Sequence, residues 1–175
     1  LSVMINMLKV MYPPSQLSVI YFDFKIVEVM MHAKPYKMPH CVAMCGTDCG
    51  DYIKSLMEYV VRDMDERLAF FKNFGSTNLK DCRKIVKKEI ERLMAEGNVK
   101  RAMELKEKLP TRTILLVDEA AQAFQMDESV QEAFKSGTIR LAQLARAAGI
   151  HMVYVSQDPS RMPDEVMNNF KARAC

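Results

Sequence analysis

ILLVDE, residues 114–119, is the stretch on which the fold turns. Four consecutive apolar side chains running into two carboxylates describe a strand buried on both faces, with its polar end emerging at the rim of a sheet. Such an unbroken run suits a parallel sheet covered by helices on both sides, whereas a half-exposed strand would alternate apolar and polar residues. Two further runs have the same design. Residues 150–155 (IHMVYV) end in Ser156-Gln157, and residues 17–23 (LSVIYFD) follow a Pro-Pro turn and end at Asp23. Residues 113–117 and 150–155 both read as central parallel strands. The spacing predicts a helix over 127–148 between them, with Gly137 as a possible break and Gly149 supplying the turn into the next strand. Strands that alternate with helices imply an α/β sandwich, a mostly parallel sheet flanked by helices.

Outward from this centre, residues 51–74 place Ile53, Leu56, Met57, Val60, Val61, Met64, Leu68 and Phe71 at three- and four-residue steps before Gly75, an amphipathic helix with a C-terminal stop. Residues 78–94 and 99–108 read as two short helices broken at Gly97 and ended by Pro110, a charged helical hairpin. Residues 1–12 read as a short core helix ended by Pro13-Pro14. The chain of 175 residues begins at Leu inside that apolar pattern, so a further segment is expected upstream. One domain, 1–175, is expected, with 78–109 inserted in it.

Hydrophobic residues make up 49% and charged residues 27% of the chain, a globular balance, and no apolar run approaches the ~20 residues of a membrane span. The segment is therefore not expected to enter a bilayer. Five cysteines without a pairing pattern fit a reducing, cytoplasmic setting better than a disulfide framework. The net charge of +3 is too small to indicate nucleic acid by itself. Residues 79–108, however, hold ten Lys/Arg against six Asp/Glu, so the basic excess is local.

Ligands of open parallel sheets bind beyond the carboxyl ends of the strands. Three strands here end in polar groups. At the end of residues 114–119, Asp118 can orient a magnesium ion and Glu119 can polarise a water, which is a Walker B pattern. Gln157, one strand on, can sense a γ-phosphate, and Asp23 with Lys25 sets a carboxylate and a cation two residues apart. An acidic pair at a strand end can equally cap a following helix, and Asp158-Pro159 can be a simple exit turn.

The order of these elements gives them a family. RLAQLARAAGIHMVYVSQDPS, residues 140–160, resembles the FtsK/SpoIIIE motor segment in which an Ala/Arg-rich helix leads through Ala-Gly-Ile-His into the sensor strand. LLVDEAAQAF, residues 115–124, is similar to that family's Walker B strand and helix, and IYFDFK, residues 20–25, to its Asp-Pro-Lys strand end. Pro39-His40 and MDERLAFF, residues 64–71, fall where the family has a Pro-His pair and a long helix. The resemblance implies a RecA-like P-loop ATPase core using ATP and Mg2+, acting as a double-stranded DNA translocase and assembling as a ring, a hexamer. It assigns Asp118 to the metal, Asp118, Glu119, Gln157, Asp23 and Lys25 to the nucleotide, and Glu119 to the chemistry. An arginine reaching into the neighbouring subunit's site would be Arg146, or Arg140. The resemblance implies a cytoplasmic setting, either free or as the cytoplasmic motor of a membrane-anchored protein.

Three departures qualify the match. The family's Gly-rich phosphate loop ending Gly-Lys-Ser/Thr is not found in these 175 residues, so weak nucleotide binding is expected of the chain by itself. Phe24 replaces a common proline. Asp158 replaces a common arginine, which unsettles a local DNA or nucleotide contact.

Lys80, Arg83, Lys84, Lys87 and Lys88 follow helical spacing opposite Cys82, Val86, Ile90 and Leu93, a stripe that could track DNA phosphates or simply be a solvated helix face. His40, Cys41, Cys45 and Cys49 have spacings that fit neither zinc pairs nor common iron–sulfur runs, and His151 reads as structural. Two rival readings remain open at this level: a conjugative coupling protein or type VII secretion ATPase, and a degenerate, non-catalytic ring or interaction module.

Overall fold

A computed structural model of the chain describes residues 2–25, 39–47 and 49–170. In chain order the elements are α1 (Ser2–Met11), β1 (Leu17–Asp23), β2 (Cys41–Gly46), α2 (Gly50–Lys72), α3 (Leu79–Ala95), α4 (Val99–Lys108), β3 (Arg112–Asp118), α5 (Ala120–Ala123), α6 (Glu128–Ala148), β4 (Ile150–Tyr154) and α7 (Asp164–Met167). A 3-10 turn, Pro159–Arg161, precedes α7. The four strands form one sheet in the order β2-β1-β3-β4, parallel throughout. The α/β reading of the sequence holds.

Both faces of the sheet are apolar, as the unbroken runs require. Ile20, Phe22, Leu115, Val117 and Ile150 point toward α2 and α6, where they join Ile53, Met57, Val60, Met64, Phe134 and Leu141 in the main core. The alternate residues Leu17, Val19, Tyr21, Ile114 and Leu116 face α1 through Ile5, Met4 and Leu8. The helix α1 packs by that side alone: Val3, Met7, Val10 and Met11 are exposed, so the expected core helix is buried on one side only. A separate small core of Phe71, Leu79, Cys82 and Val86 fixes the α3–α4 hairpin to the last turns of α2.

Of the two strands expected to be central, β3 lies between β1 and β4, while β4 lies at the edge of the described sheet. Its pattern shows this position, with Ile150 buried and His151 exposed.

Gly137 does not break α6, which is continuous over 21 residues. Its missing side chain admits Met57 of α2, and a Cβ built there would collide with the Met57 side chain, whose Sδ would lie 2.8 Å away. The glycine is thus a packing notch between two helices that run side by side in the same direction, with Lys54 near Ser129 at their beginnings and Arg67 near Ala148 at their ends. Gly149 takes φ 78° at the end of α6, a left-handed stop that a side chain would disfavour.

The amino ends of the strands are tied by one buried guanidinium. Arg67 of α2 grips Asp63 with Nε at 3.0 Å and Nη2 at 2.8 Å, and donates to Thr111 O at 2.8 Å, Thr113 Oγ1 at 2.8 Å and Ala148 O at 3.4 Å. Thr113 Oγ1 in turn lies 2.9 Å from Ser18 Oγ. One side chain therefore links α2, β3, the end of α6 and the start of β1. A buried arginine is tolerable only when its donors are satisfied in this way.

Two stability predictions follow from these contacts. Gly137→Ala should lower stability by about 1–3 kcal/mol through overpacking, and Met57→Ala in the same chain should recover part of that loss, both read from urea unfolding midpoints. Arg67→Met should cost about 2–3 kcal/mol by leaving acceptors unpaired, and an unfolding midpoint unchanged from wild type would show the network to be dispensable.

Candidate active site

β1 and β3 pair over seven residues, from Leu17↔Arg112 to Asp23↔Asp118. Because the ladder is parallel and in register to its last rung, the two strand-end carboxylates sit side by side, 3% and 6% exposed. The rung is extended by Phe24 N–H donating to Asp118 O at 3.2 Å. Lys25 N–H donates to Asp23 Oδ1 at 3.1 Å, which turns the chain over the sheet's edge and aims the lysine at β3.

Glu119 then adopts φ 54°, ψ 55°, the one left-handed non-glycine conformation among the described residues. This geometry costs an L-residue on the order of 1–2 kcal/mol. It is held by Glu119 N–H donating to Asp118 Oδ1 at 3.1 Å and by Ala120 N–H donating to Val155 O at 2.8 Å. The turn directs the Glu119 side chain toward the exit of β4. There Oε1 accepts from Ser156 Oγ at 3.0 Å and from Gln157 N–H at 3.2 Å, while Oε2 pairs with Lys25 Nζ at 3.3 Å. Burial raises the carboxyl pKa, but the donors Ser156, Gln157 and Lys25 outweigh it and leave the group below its ordinary range.

An aromatic cluster forms the floor. The Phe134 ring lies 5.3 Å from Phe22, 5.6 Å from Phe24, 5.8 Å from Phe124 and 5.9 Å from Tyr154. Phe24, the departure from proline, is part of this packing. The Tyr154 hydroxyl lies 2.6 Å from Thr138 Oγ1, and burial raises its pKa.

Asp23, Lys25, Asp118, Glu119 and the Ser156-Gln157 pair therefore meet at one end of the sheet. Gln157 touches Glu119 through its backbone, and its side chain is exposed. Ser156, which the sequence showed only as the companion of Gln157, is the hydroxyl that holds Glu119. Asp158 binds Arg161 Nε at 2.8 Å and accepts from Ser160, so a cation stands three residues beyond the position where an arginine was missing. A charged residue shortly after Asp158-Pro159 was the available signal for it.

The remaining candidates lie elsewhere. Arg140 pairs with Asp65 across α6 and α2 at 3.1 Å. Arg146 is exposed in the last turn of α6, at the opposite end of the sheet from Glu119. There its charge joins ring desolvation and Arg112 in lowering the pKa of His151, which is exposed on β4.

The hairpin is anchored at the same far end, where Leu79 lies against Gly149. Its cations do not form one stripe. Arg83 turns inward to donate to Pro110 O at 3.1 Å, and its pKa is lowered first by desolvation and then by Arg112 and Arg67. Lys84 and Lys87 stand 3.8 Å from Asp81 and 3.9 Å from Glu91, and Lys80 and Lys88 are exposed. The expected five-residue face is reduced by packing and by neighbouring carboxylates. His40 Nε2–H donates to Tyr12 O at 2.7 Å, joining the end of α1 to the start of β2. Cys45 is buried, with its thiol pushed up to about 12.

The donors at the strand ends are carboxylate oxygens, a set suited to a hard cation such as magnesium, which is commonly bound by one or two carboxylates together with phosphate oxygens. Asp118 and Asp23 are the residues that could hold such a cation. Among the described residues no cluster of three or more His, Cys, Asp or Glu side chains offers an all-protein metal cage, and no helix is long and apolar enough to cross a membrane.

The profile of the FtsK/SpoIIIE family matches residues 1–161. The chain is 31% identical over 148 residues to a DNA translocase FtsK of Lactococcus lactis subsp. cremoris, covering 84% of this chain and 17% of that protein. It is also 31% identical over 149 residues to the DNA translocase SftA of Bacillus subtilis, covering 84% of this chain and 13% of that protein. The chain thus spans a small part of these relatives. Among solved structures, the cytoplasmic domain of the type VII secretion ATPase EccC of Thermomonospora curvata superposes with a TM-score of 0.67 at 20% identity, over 90% of this chain and 16% of that one.

Charge substitutions on the hairpin separate packing from solvation. Arg83→Met should lower stability by about 1–2 kcal/mol, having lost a half-buried charged hydrogen bond, whereas Lys88→Met should leave the thermal midpoint where it is; equal effects would contradict the assignment.

Proposed function

The chain belongs to the FtsK/SpoIIIE family, and on that premise we propose that it forms part of an ATP-hydrolysing motor that moves double-stranded DNA. The observation that carries this reading is the convergence of Asp23, Lys25, Asp118, Glu119 and Ser156 at the carboxyl ends of three parallel strands.

Bound MgATP supplies the scissile phosphoanhydride and a cation to neutralise its charge. Asp118, beside Asp23, orients the metal. Glu119 accepts a hydrogen bond from the attacking water and aligns it. Gln157, whose amide is exposed one strand away, reports on the γ-phosphate, and Lys25 contributes a mobile positive charge. The phosphate-cradling loop is not found in these 175 residues, and the chain alone binds nucleotide weakly on this reading.

On this reading Arg146, at the far end of α6, serves a second subunit rather than its own, with Arg140 as the alternative, in a hexameric ring. Residues 78–109 are an insertion in a single ATPase domain 1–175, and Lys80, Lys84, Lys87 and Lys88, the exposed lysines of its first helix, are the ones left to meet DNA phosphates. The setting is cytoplasmic.

The reading is tested on the full-length protein by ATP turnover with duplex DNA, single-stranded DNA or none, at low and moderate salt. Duplex should stimulate turnover and salt should weaken the effect. Glu119→Gln should lower turnover about a hundredfold or more with nucleotide binding retained. Stimulation by single strands or by a protein partner instead would favour coupling or secretion, and turnover unaffected by Glu119→Gln would remove the base assignment.

A further inference from the structure

The Glu119 carboxylate is unusually well occupied for a group that must accept a hydrogen bond from water. A carboxylate offers about four lone-pair sites, two on each oxygen. Oε1 has two donors, the Ser156 hydroxyl at 3.0 Å and the Gln157 N–H at 3.2 Å, and Oε2 has the Lys25 ammonium at 3.3 Å. The left-handed backbone at Glu119 points the side chain into this grip. Counting the donors of the described residues, one site on Oε2 remains for a water, beside a cation.

The three donors differ in mobility. Gln157 N–H is fixed by the backbone, and Ser156 follows Val155, whose N–H and O are both hydrogen-bonded to the β3 exit. Among the described residues, the Lys25 backbone is anchored through its own N–H to Asp23 Oδ1; its side chain is 36% exposed, and its ammonium sits on a flexible four-carbon stem.

We propose that Lys25 is a positioning residue that, with Ser156, latches Glu119 in a resting pose, and that an arriving phosphoryl group draws the Lys25 ammonium away and frees Oε2. This rests on the reading of Glu119 as the residue that aligns water. A phosphoryl group with two or more negative oxygens attracts the ammonium more strongly than a single carboxylate does, so the exchange is favourable only when the anion is present. Lys25 thereby links occupancy of the site to release of the base, and leaves Glu119 a single water site, beside a cation, when the site is empty.

The latch makes a prediction about affinity rather than rate. Binding the anion must break the Lys25–Glu119 pair, so removing the pair in advance should tighten binding. In the full-length protein, titrated with a fluorescent ATPγS analogue and Mg2+, Glu119→Gln should tighten binding about threefold, the size expected of a partly exposed ion pair. The same change in a Lys25→Met background should give no tightening. Where Lys25→Met binds too weakly to titrate, Lys25→Gln, neutral but still able to hydrogen-bond a phosphate, carries the same comparison.

Equal tightening with and without Lys25 would overturn the latch, since it would report only repulsion between Glu119 and the phosphates. No tightening with Lys25 present would overturn it as well. A lysine with a merely structural role would shift unfolding midpoints without this coupling. Failure of the base assignment is separate: it would appear as normal turnover by Glu119→Gln, whatever the affinities.

Discussion

The seven-rung parallel ladder between β1 and β3 is the constraint on which the site depends. Both strands are buried on both faces, with Ile20, Phe22, Leu115 and Val117 on one side and Val19, Tyr21, Ile114 and Leu116 on the other. A slip of one residue would exchange the two sets and send every side chain to the opposite core, so the register is fixed by packing along its whole length. What packing fixes in the middle of the sheet is expressed at its end. Asp23 and Asp118 arrive at the same height, and the residues after them, Lys25 and Glu119, can meet. β4 adds the third element through Val155, whose N–H donates to Val117 O and whose O accepts from Ala120 N–H, each at 2.8 Å, and this sets Ser156 over Glu119.

Most of this framework was legible because it is written in local, periodic signals. Continuous apolar runs gave β1 and β3, three- and four-residue steps gave α2, and the stops at Gly75, Gly97 and Gly149 correspond to positive φ in each case. Strand-end logic brought Asp23, Lys25, Asp118, Glu119 and Gln157 forward as a group. What was not legible is set by contacts distant in sequence. Gly137 reads as a helix breaker by propensity, and only the approach of Met57 from α2 shows why a small residue sits there. Spacing puts Arg83 on the same face as four lysines, yet the carbonyl of Pro110, 27 residues away, claims it. The central or edge position of β4 is a property of its neighbours, which no reading of its own residues supplies. The grip of Ser156 on Glu119 spans 37 residues and depends on a left-handed turn that carboxylate spacing does not announce.

The arginines divide by the end of the sheet they occupy and by what surrounds them. Arg67 and Arg83 are drawn in to satisfy carbonyl oxygens where strands begin and helices end, and their charge is spent on holding α2, α3, β3 and α6 together. Arg140 lies on the outer helical layer in a pair with Asp65, about half exposed on each side. Such a pair contributes little to stability and is easily exchanged for another partner.

Position then limits what the last of them can do. α6 leaves the site end of the sheet and runs back beside it for 21 residues, ~30 Å at 1.5 Å per residue. Arg146, two residues before its end, is carried to the level where β4 begins, while Glu119 stands where β3 has finished. An arginine side chain extends several ångströms, far less than the length of the helix that separates the two, and the rigid packing of α6 against α2 and β4 forbids a compensating swing. Arg146 therefore cannot assist Glu119 of the same chain. A phosphate within reach of Arg146 is therefore not one beside Glu119 of the same chain, because the strand-end carboxylates gather at one end of the sheet and this exposed cation stands at the other.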